Sequence, residues 1–280
     1  MRAVVGTALL AALAAGLLPR SAAAAPGCGG ETAACTVAGG SYLALPPPGW
    51  DGSSPLPATI FFHGWRSSAV AFARDAAFTQ AFATEGVLLV LPDGINGTWA
   101  HQGSPSRARD ELAFMDAVRA DLLDRWRVDP DRLLVSGFSQ GGSMVWDLAC
   151  RRGHDYGAFA AISGAFWEPL PTACDGGPID LLHVHGEADT VVPMTGRWIR
   201  NTWKQGDVRQ GLAILRREDG CSNQSRPATL GPELRCEVWD GCSSGREIEL
   251  CRHPDGHMLP PGWVALVHGW ARALPDEQGG

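Results

Sequence analysis

Between Leu133 and Leu148 the chain passes from a buried-strand pattern to a helical one through Gly137-Phe138-Ser139-Gln140-Gly141-Gly142. A strand that turns into a helix this abruptly brings the two backbones together, so the positions two residues either side of the apex must be small, and Gly137 and Gly141 meet that need. Ser139 stands at the apex, where such a strained turn projects its hydroxyl above the sheet. The five-residue pattern alone is also that of a glycine-rich connecting turn. The flanking strand and helix make Ser139 a candidate nucleophile.

The rest of the chain repeats the alternation. Apolar runs at Thr59–Phe62, Val87–Leu91, Leu133–Val135, Phe159–Ile162 and Leu181–Val184 have the composition of strands buried on both faces. Between them lie helical stretches, most plainly Arg109 to Trp126, where Phe114, Val118, Leu122 and Trp126 form one apolar stripe. The expected class is α/β, a mostly parallel sheet with helices on both faces and ligands at the C-terminal strand ends. Cys221 to Cys251 departs from the rhythm as a disulfide-pinned hairpin, and Pro261 to Leu274 resumes as a closing helix.

A serine hydroxyl needs a base within hydrogen-bond reach and an acid to orient that base, arranged in this fold in the order serine, acid, histidine. After the strand at Leu181–Val184 comes His185-Gly186-Glu187-Ala188-Asp189-Thr190-Val191-Val192-Pro193, which makes Asp189 the expected acid and Glu187 its rival. Before the closing helix stands Cys251-Arg252-His253-Pro254-Asp255-Gly256-His257, where His257 is the expected base and His253 the weaker candidate. His101, His154 and His268 have no motif around them and are read as surface or structural residues. An oxyanion requires two N–H donors. One is expected from the backbone of Gln140, the other from Trp65, or from Gly64, in Phe61-Phe62-His63-Gly64-Trp65, although His-Gly after a strand is equally an ordinary turn.

Composition sets the surroundings. Met1 to Ala25 has a charged start, an apolar run from Ala8 to Leu18 and small residues up to Ala25, the pattern of a secretory signal peptide. Residues 26–280 are then expected to form a single catalytic domain with no membrane span. Without Arg2 and Arg20 the chain has 21 basic and 30 acidic residues, a formal charge of −9 that argues against a nucleic-acid partner. All eight cysteines follow the signal, and an even number in an exported chain implies disulfides, with Cys28–Cys35 and Cys236–Cys251 the favoured pairs. A zinc site is disfavoured because no Cys-x-x-Cys occurs and because Pro254 and Gly256 break any helix holding His253 and His257. No metal, organic cofactor or obligate protein partner is expected.

The four segments Phe61-Phe62-His63-Gly64, Gly137 to Gly142, His185-Gly186-x-x-Asp189-x-x-Val192-Pro193 and the final Gly256-His257 loop occur in that order. In this the chain resembles the secreted polyhydroxybutyrate depolymerase and feruloyl esterase family of α/β-hydrolases over nearly its whole mature length. The resemblance implies an α/β-hydrolase fold and hydrolysis of esters in extracellular polymers or plant-wall material by Ser139, Asp189 and His257, with Gln140 and Trp65 lending backbone N–H groups. Many relatives have a small residue or cysteine where Trp65 stands, so a narrower pocket is expected. Polymer-degrading relatives often carry an adsorption domain beyond their last helix, whereas this chain reaches Gly280 soon after its own, which turns the expectation toward soluble esters or oligomers. Trp65, Trp99 and Trp167 fall on loops expected near the site, where each would stack an aryl acid or a sugar or else fill core and rim. Two other readings compete: the same residues acting on peptides or lactones, and a non-catalytic secreted binding protein on the same scaffold.

Overall fold

A ten-stranded sheet organises the chain in the computed structural model, which describes residues 28–30, 33–52 and 54–275. The expected signal segment lies outside the described residues. In chain order the elements are β1 (Cys35–Val37), β2 (Gly40–Leu45), β3 (Leu56–Phe62), α1 (Ala69–Ala73), α2 (Ala76–Glu85), β4 (Leu88–Pro92), α3 (Glu111–Arg125), β5 (Val128–Phe138) and α4 (Gln140–Arg152). There follow β6 (Ala158–Ile162), β7 (Leu181–Gly186), β8 (Arg197–Ile199), β9 (Trp203–Gln205), α5 (Val208–Glu218), β10 (Arg226–Leu230), β11 (Leu234–Trp239), β12 (Ile248–His253) and α6 (Trp263–Ala273).

The sheet order is β1-β2-β4-β3-β5-β6-β7-β12-β11-β10, and β8 and β9 form a separate two-stranded ribbon. From β4 to β12 every neighbouring pair is parallel, while β1, β2, β10 and β11 pair antiparallel at the two edges. Parallel neighbours need crossovers, and those helices cover both faces. One core cluster joins the sheet to α3, α4 and α5 through Phe114, Val118, Trp146, Leu148 and Leu212. The other joins it to α1, α2 and α6 through Ala69, Phe78, Phe82, Trp263 and Val267. Adjacent residues of β3 serve opposite clusters, Ile60 and Phe62 the first and Phe61 the second. That is why the strands carry continuous apolar runs rather than alternation.

Helix α3 carries the stripe read from the sequence, with Phe114, Val118 and Leu122 buried. It begins at Glu111 rather than Arg109 because the Asp110 side chain caps it, accepting from Ala113 N–H at 3.1 Å. Strand β5 extends back to Val128 through residues that carry no apolar signal; Pro130, Asp131 and Arg132 are exposed.

Cys28–Cys35 and Cys236–Cys251 are bonded as expected, and Cys150–Cys174 and Cys221–Cys242 complete four disulfides. Cys236 and Cys251 are directly opposed residues of β11 and β12. The bridge therefore clamps the antiparallel edge to the strand that leads into the His257 loop. Among the described residues no helix is long and apolar enough to cross a membrane.

Candidate active site

Ser139 links β5 to α4 with φ 59° and ψ −121°. This left-handed backbone is costly for a residue with a Cβ and persists only where the surroundings enforce it. Enforcement comes from contact on both sides. A Cβ on Gly141 would stand 2.0 Å from the Phe62 carbonyl oxygen, and one on Gly137 would stand 2.5 Å from the Gly141 oxygen. The Ser139 N–H donates to the Ile162 carbonyl at 2.9 Å, so β6 also fixes the turn.

The neighbouring strand ends bring the other groups to it. β7 and β12 are parallel, with Gly186 opposite His253, and their following turns interlock where a Cβ on Gly186 would meet the Gly256 oxygen at 2.3 Å. Only glycine permits that approach, which puts the 187–192 and 254–258 turns side by side. His257 Nδ1 then lies 2.7 Å from Asp189 Oδ2, and its Nε2 lies 2.8 Å from Ser139 Oγ. The Phe138 ring packs against the imidazole, with centroids 4.8 Å apart.

Burial works to raise the pKa of Asp189, but hydrogen bonds from His257 and from the N–H groups of Val192 and Val191 outweigh it and hold the carboxyl below its usual value. Both backbone donors reach Oδ1 at 2.8 Å, leaving Oδ2 for His257. An ionised carboxylate only accepts, so Nδ1 of His257 carries the proton and Nε2 is free to accept from the serine hydroxyl. The arrangement can move a proton from Ser139 onto His257 and hold the resulting imidazolium beside a buried negative charge.

The rival side chains are engaged elsewhere. Glu187 pairs with Arg235 at 3.2 Å and Arg252 at 3.3 Å on the surface. His253 is buried at the end of β12, its Nδ1 3.8 Å from Asp255. His101 and His268 are buried with polar partners, Asp147 at 3.0 Å and Thr59 at 3.3 Å.

The two expected oxyanion donors are the backbone N–H groups of Gln140 and Trp65. Gln140 opens α4, so its N–H has no partner within the helix. Among the described residues neither it nor the N–H of Trp65 donates to a protein acceptor. The 63–65 loop abuts the serine, since a Cβ on Gly64 would lie 3.5 Å from Ser139 Cβ. The loop is held from behind. His63 Nε2 accepts from Gly94 N–H at 3.0 Å, so its Nδ1–H donates to the Gly64 carbonyl at 2.8 Å. The Gln140 amide is fastened to Thr98 Oγ1 at 2.8 Å.

The three tryptophans fare differently. Trp65 is 60 % exposed, with the Arg66 guanidinium 4.3 Å from its ring. Trp99 is fully buried, its indole N–H donating to the His63 carbonyl at 2.9 Å and its ring edge-on to Phe62. The expectation that Trp99 stacks against a substrate is therefore corrected: its ring has no open face, and it braces the 63–65 loop. Trp167 is 8 % exposed, is bridged through its backbone to Gln205 of β9, and lines a cavity of about 160 Å³ on the flank of α4. The cavity walls include Met144 and Asp147 but not Ser139, Asp189 or His257.

Sequence reasoning passed over the buried histidines that support the site, His63, His183 and His185. For His183 and His185 the signal was the placement of polar residues at alternate positions, hence on one face, of the otherwise apolar β7; His63 directly follows the apolar run of β3.

A family described as phospholipase/carboxylesterase matches residues 108–202, a span that includes Ser139 and Asp189. Feruloyl esterase C of Emericella nidulans is 32% identical over 190 residues, covering 64% of this chain and 67% of its own length. Feruloyl esterase D of Neurospora crassa is 27% identical over 268 residues, covering 86% and 85%. Among solved structures, an acetyl xylan esterase from Aspergillus awamori superposes with a TM-score of 0.57 at 11% identity, covering 81% of this chain and 94% of its own, a likeness of fold alone. On the strength of these relatives the chain belongs to the feruloyl esterase family of α/β-hydrolases and is an esterase.

Proposed function

We propose that the protein is a secreted serine esterase that cleaves carboxylic esters of plant-wall material or polyester oligomers through an acyl-enzyme, with Ser139, His257 and Asp189 as its catalytic triad. The observation that carries this reading is the unbroken hydrogen-bonded line from Asp189 through His257 to a serine held at positive φ. In the first half-reaction Ser139 Oγ attacks the ester carbonyl as its proton passes to His257 Nε2. Asp189 keeps the imidazole oriented and stabilises it once charged. The N–H groups of Gln140 and Trp65 receive the oxyanion, and His257 returns the proton to the departing alcohol. Water, deprotonated by His257, then attacks the acyl-enzyme and releases Ser139.

Exposed apolar side chains beside the site residues in the chain support an acyl group of some size. Trp65, Val191 and Met258 are exposed large apolar residues, each next to or within two positions of Gly64, Asp189 or His257. Trp65 offers a face on which an aryl acid can stack. Secretion is supported by four disulfides, which persist in oxidising compartments.

A panel of feruloylated sugars, acetylated xylan, 3-hydroxybutyrate oligomers and peptide anilides tests the reading, with Ser139→Ala beside the wild type. Ester cleavage without anilide cleavage is expected, and kcat should fall by roughly 10⁴ to 10⁶ in the variant. Ester turnover retained by Ser139→Ala, or turnover confined to the anilides, contradicts it.

A further inference from the structure

Beneath Asp189, β7 carries two fully buried imidazoles, His183 and His185, that play no direct part in the proposed chemistry. They are linked in line. Trp146 Nε1 lies 3.2 Å from His183 Nδ1, His183 Nε2 lies 2.9 Å from His185 Nδ1, and His185 Nε2 lies 2.7 Å from the Val192 carbonyl oxygen. An indole N–H only donates and a carbonyl only accepts, so both ends dictate the direction of the line. Each histidine must be neutral with its single proton on Nε2, and a second proton on either would set two donors face to face. Burial, reinforced for His183 by its neighbour, holds both imidazoles below their usual pKa.

The line joins the two halves of the site. Trp146 belongs to α4, the helix that starts at Ser139, whereas Val192 closes the turn whose N–H groups hold Asp189 Oδ1. His185 Nε2 is also 3.7 Å from Asp189 Oδ2. Its N–H is committed to Val192, so it lends Asp189 a favourable dipole without occupying the oxygen that His257 uses. The charged or titratable groups that face His185 are Asp189, His257, His253 of β12 and His183.

We propose that His185, oriented through His183 by Trp146 of the nucleophile's helix, is a positioning residue for Asp189: it fixes the 189–192 turn so that the carboxylate meets His257. This rests on the triad assigned above. A buried imidazole is ordinarily hydrogen-bonded; what sets this line apart is that its two ends lie on the helix that follows Ser139 and on the turn that holds Asp189. A positional error of about 1 Å at a catalytic group costs roughly 100-fold in rate, so the effect is measurable.

The test compares His185→Phe, His185→Gln and Trp146→Phe with wild type and Ser139→Ala, using p-nitrophenyl butyrate across pH. His185→Phe keeps a ring but has neither donor nor acceptor. It is expected to lower kcat by roughly 10- to 100-fold with KM little changed, and to move the acid limb of kcat/KM to lower pH as imidazolium at position 257 loses its well-placed carboxylate. His185→Gln, whose amide can both donate and accept, should recover most of the loss. Trp146→Phe should shift both quantities the same way by less. If His185→Phe does not fold, Trp146→Phe decides, since it removes the donor that starts the line. Wild-type kcat and an unmoved acid limb in folded His185→Phe and Trp146→Phe, with only the melting temperature lowered, overturn the positioning role. Activity retained by Ser139→Ala overturns the triad itself; an inactive Ser139→Ala beside a wild-type-like His185→Phe overturns this inference alone.

Discussion

Ser139 is set in place by backbone sterics between adjoining elements, whereas Asp189 and His257 are held by side chains and strands gathered from across the molecule. In the first region the close approach of Gly137, Gly141 and the Phe62 carbonyl leaves no room for a side chain at either glycine. In the second, residues 68 positions apart meet because β7 and β12 are parallel neighbours and because a buried polar line braces the acid's turn. The difference teaches where each half is vulnerable. The serine turn should fail on addition of one methyl group nearby and ignore distant changes. The acid–base half should fail through loss of a charge or a hydrogen bond, and its supporting edge should yield stability before activity.

Among changes that keep Ser139, the largest effect is expected on the acid–base side. Asp189→Asn keeps the acceptor for Val191 and Val192 but removes the charge facing His257, and kcat should fall about 10⁴-fold with the melting temperature little changed. A loss below about tenfold, within the range of ordinary positioning effects, would break the comparison. Next is the serine turn, where Gly141→Ala forces a Cβ to within 2.0 Å of the Phe62 oxygen. Stability should drop by roughly 1–3 kcal/mol. Turnover should drop together with it by about 100-fold, because the displaced atom belongs to the turn itself. A fully active, stable variant would show that the turn has slack.

Removing the Cys236–Cys251 bridge by a double substitution to alanine should separate stability from chemistry. A closed loop of 15 residues corresponds to about 3 kcal/mol of lost stability. Below the shifted melting point kcat should stay within about threefold of wild type, since the hydrogen bonds from Asp189 through His257 to Ser139 do not pass through the bridge. A kcat loss as large as that of Asp189→Asn would mean that the edge holds the site directly.

The smallest effect concerns Asp219, after α5, whose carboxyl burial pushes up to about 7 beside Asp180 and Glu218, against the opposing pull of the Ile179 N–H and Arg246. The folded state holds this proton more tightly than the unfolded chain does. Its stabilising contribution is therefore complete below the ordinary carboxylate range and is lost as pH rises toward 7. Asp219→Asn should flatten the fall in melting temperature between pH 5 and pH 8 while leaving kcat untouched. An unchanged slope would remove Asp219 from the pH response.

The same contrast governs what was legible in the sequence. The serine turn could be read because its constraint is local: a strand, two glycines and a helix lie within one short segment, and the apolar runs on either side announce a parallel sheet. Asp189 and His257 could be named as candidates from their order and their strand-end turns, but the separation of Glu187 and His253 from the serine depends on β7–β12 register and on the arginines that capture Glu187. Which of its two readings holds for Trp99 could not be decided from the sequence because burial of a loop residue is decided by what packs over it, here Phe62 and His63. His183 and His185 went unassigned because an imidazole's role depends on partners at both nitrogens, and Trp146 and Val192 are brought to them only by the fold.

The most direct measurement is intact-protein mass spectrometry after reaction with a fluorophosphonate, followed by peptide mapping, for wild type and His257→Ala. A single adduct on Ser139, formed rapidly in wild type and nearly lost without the imidazole, is the expected result. An esterase-active protein that takes no adduct, or that takes it on another serine, would contradict the assignment of Ser139 as the nucleophile activated by His257.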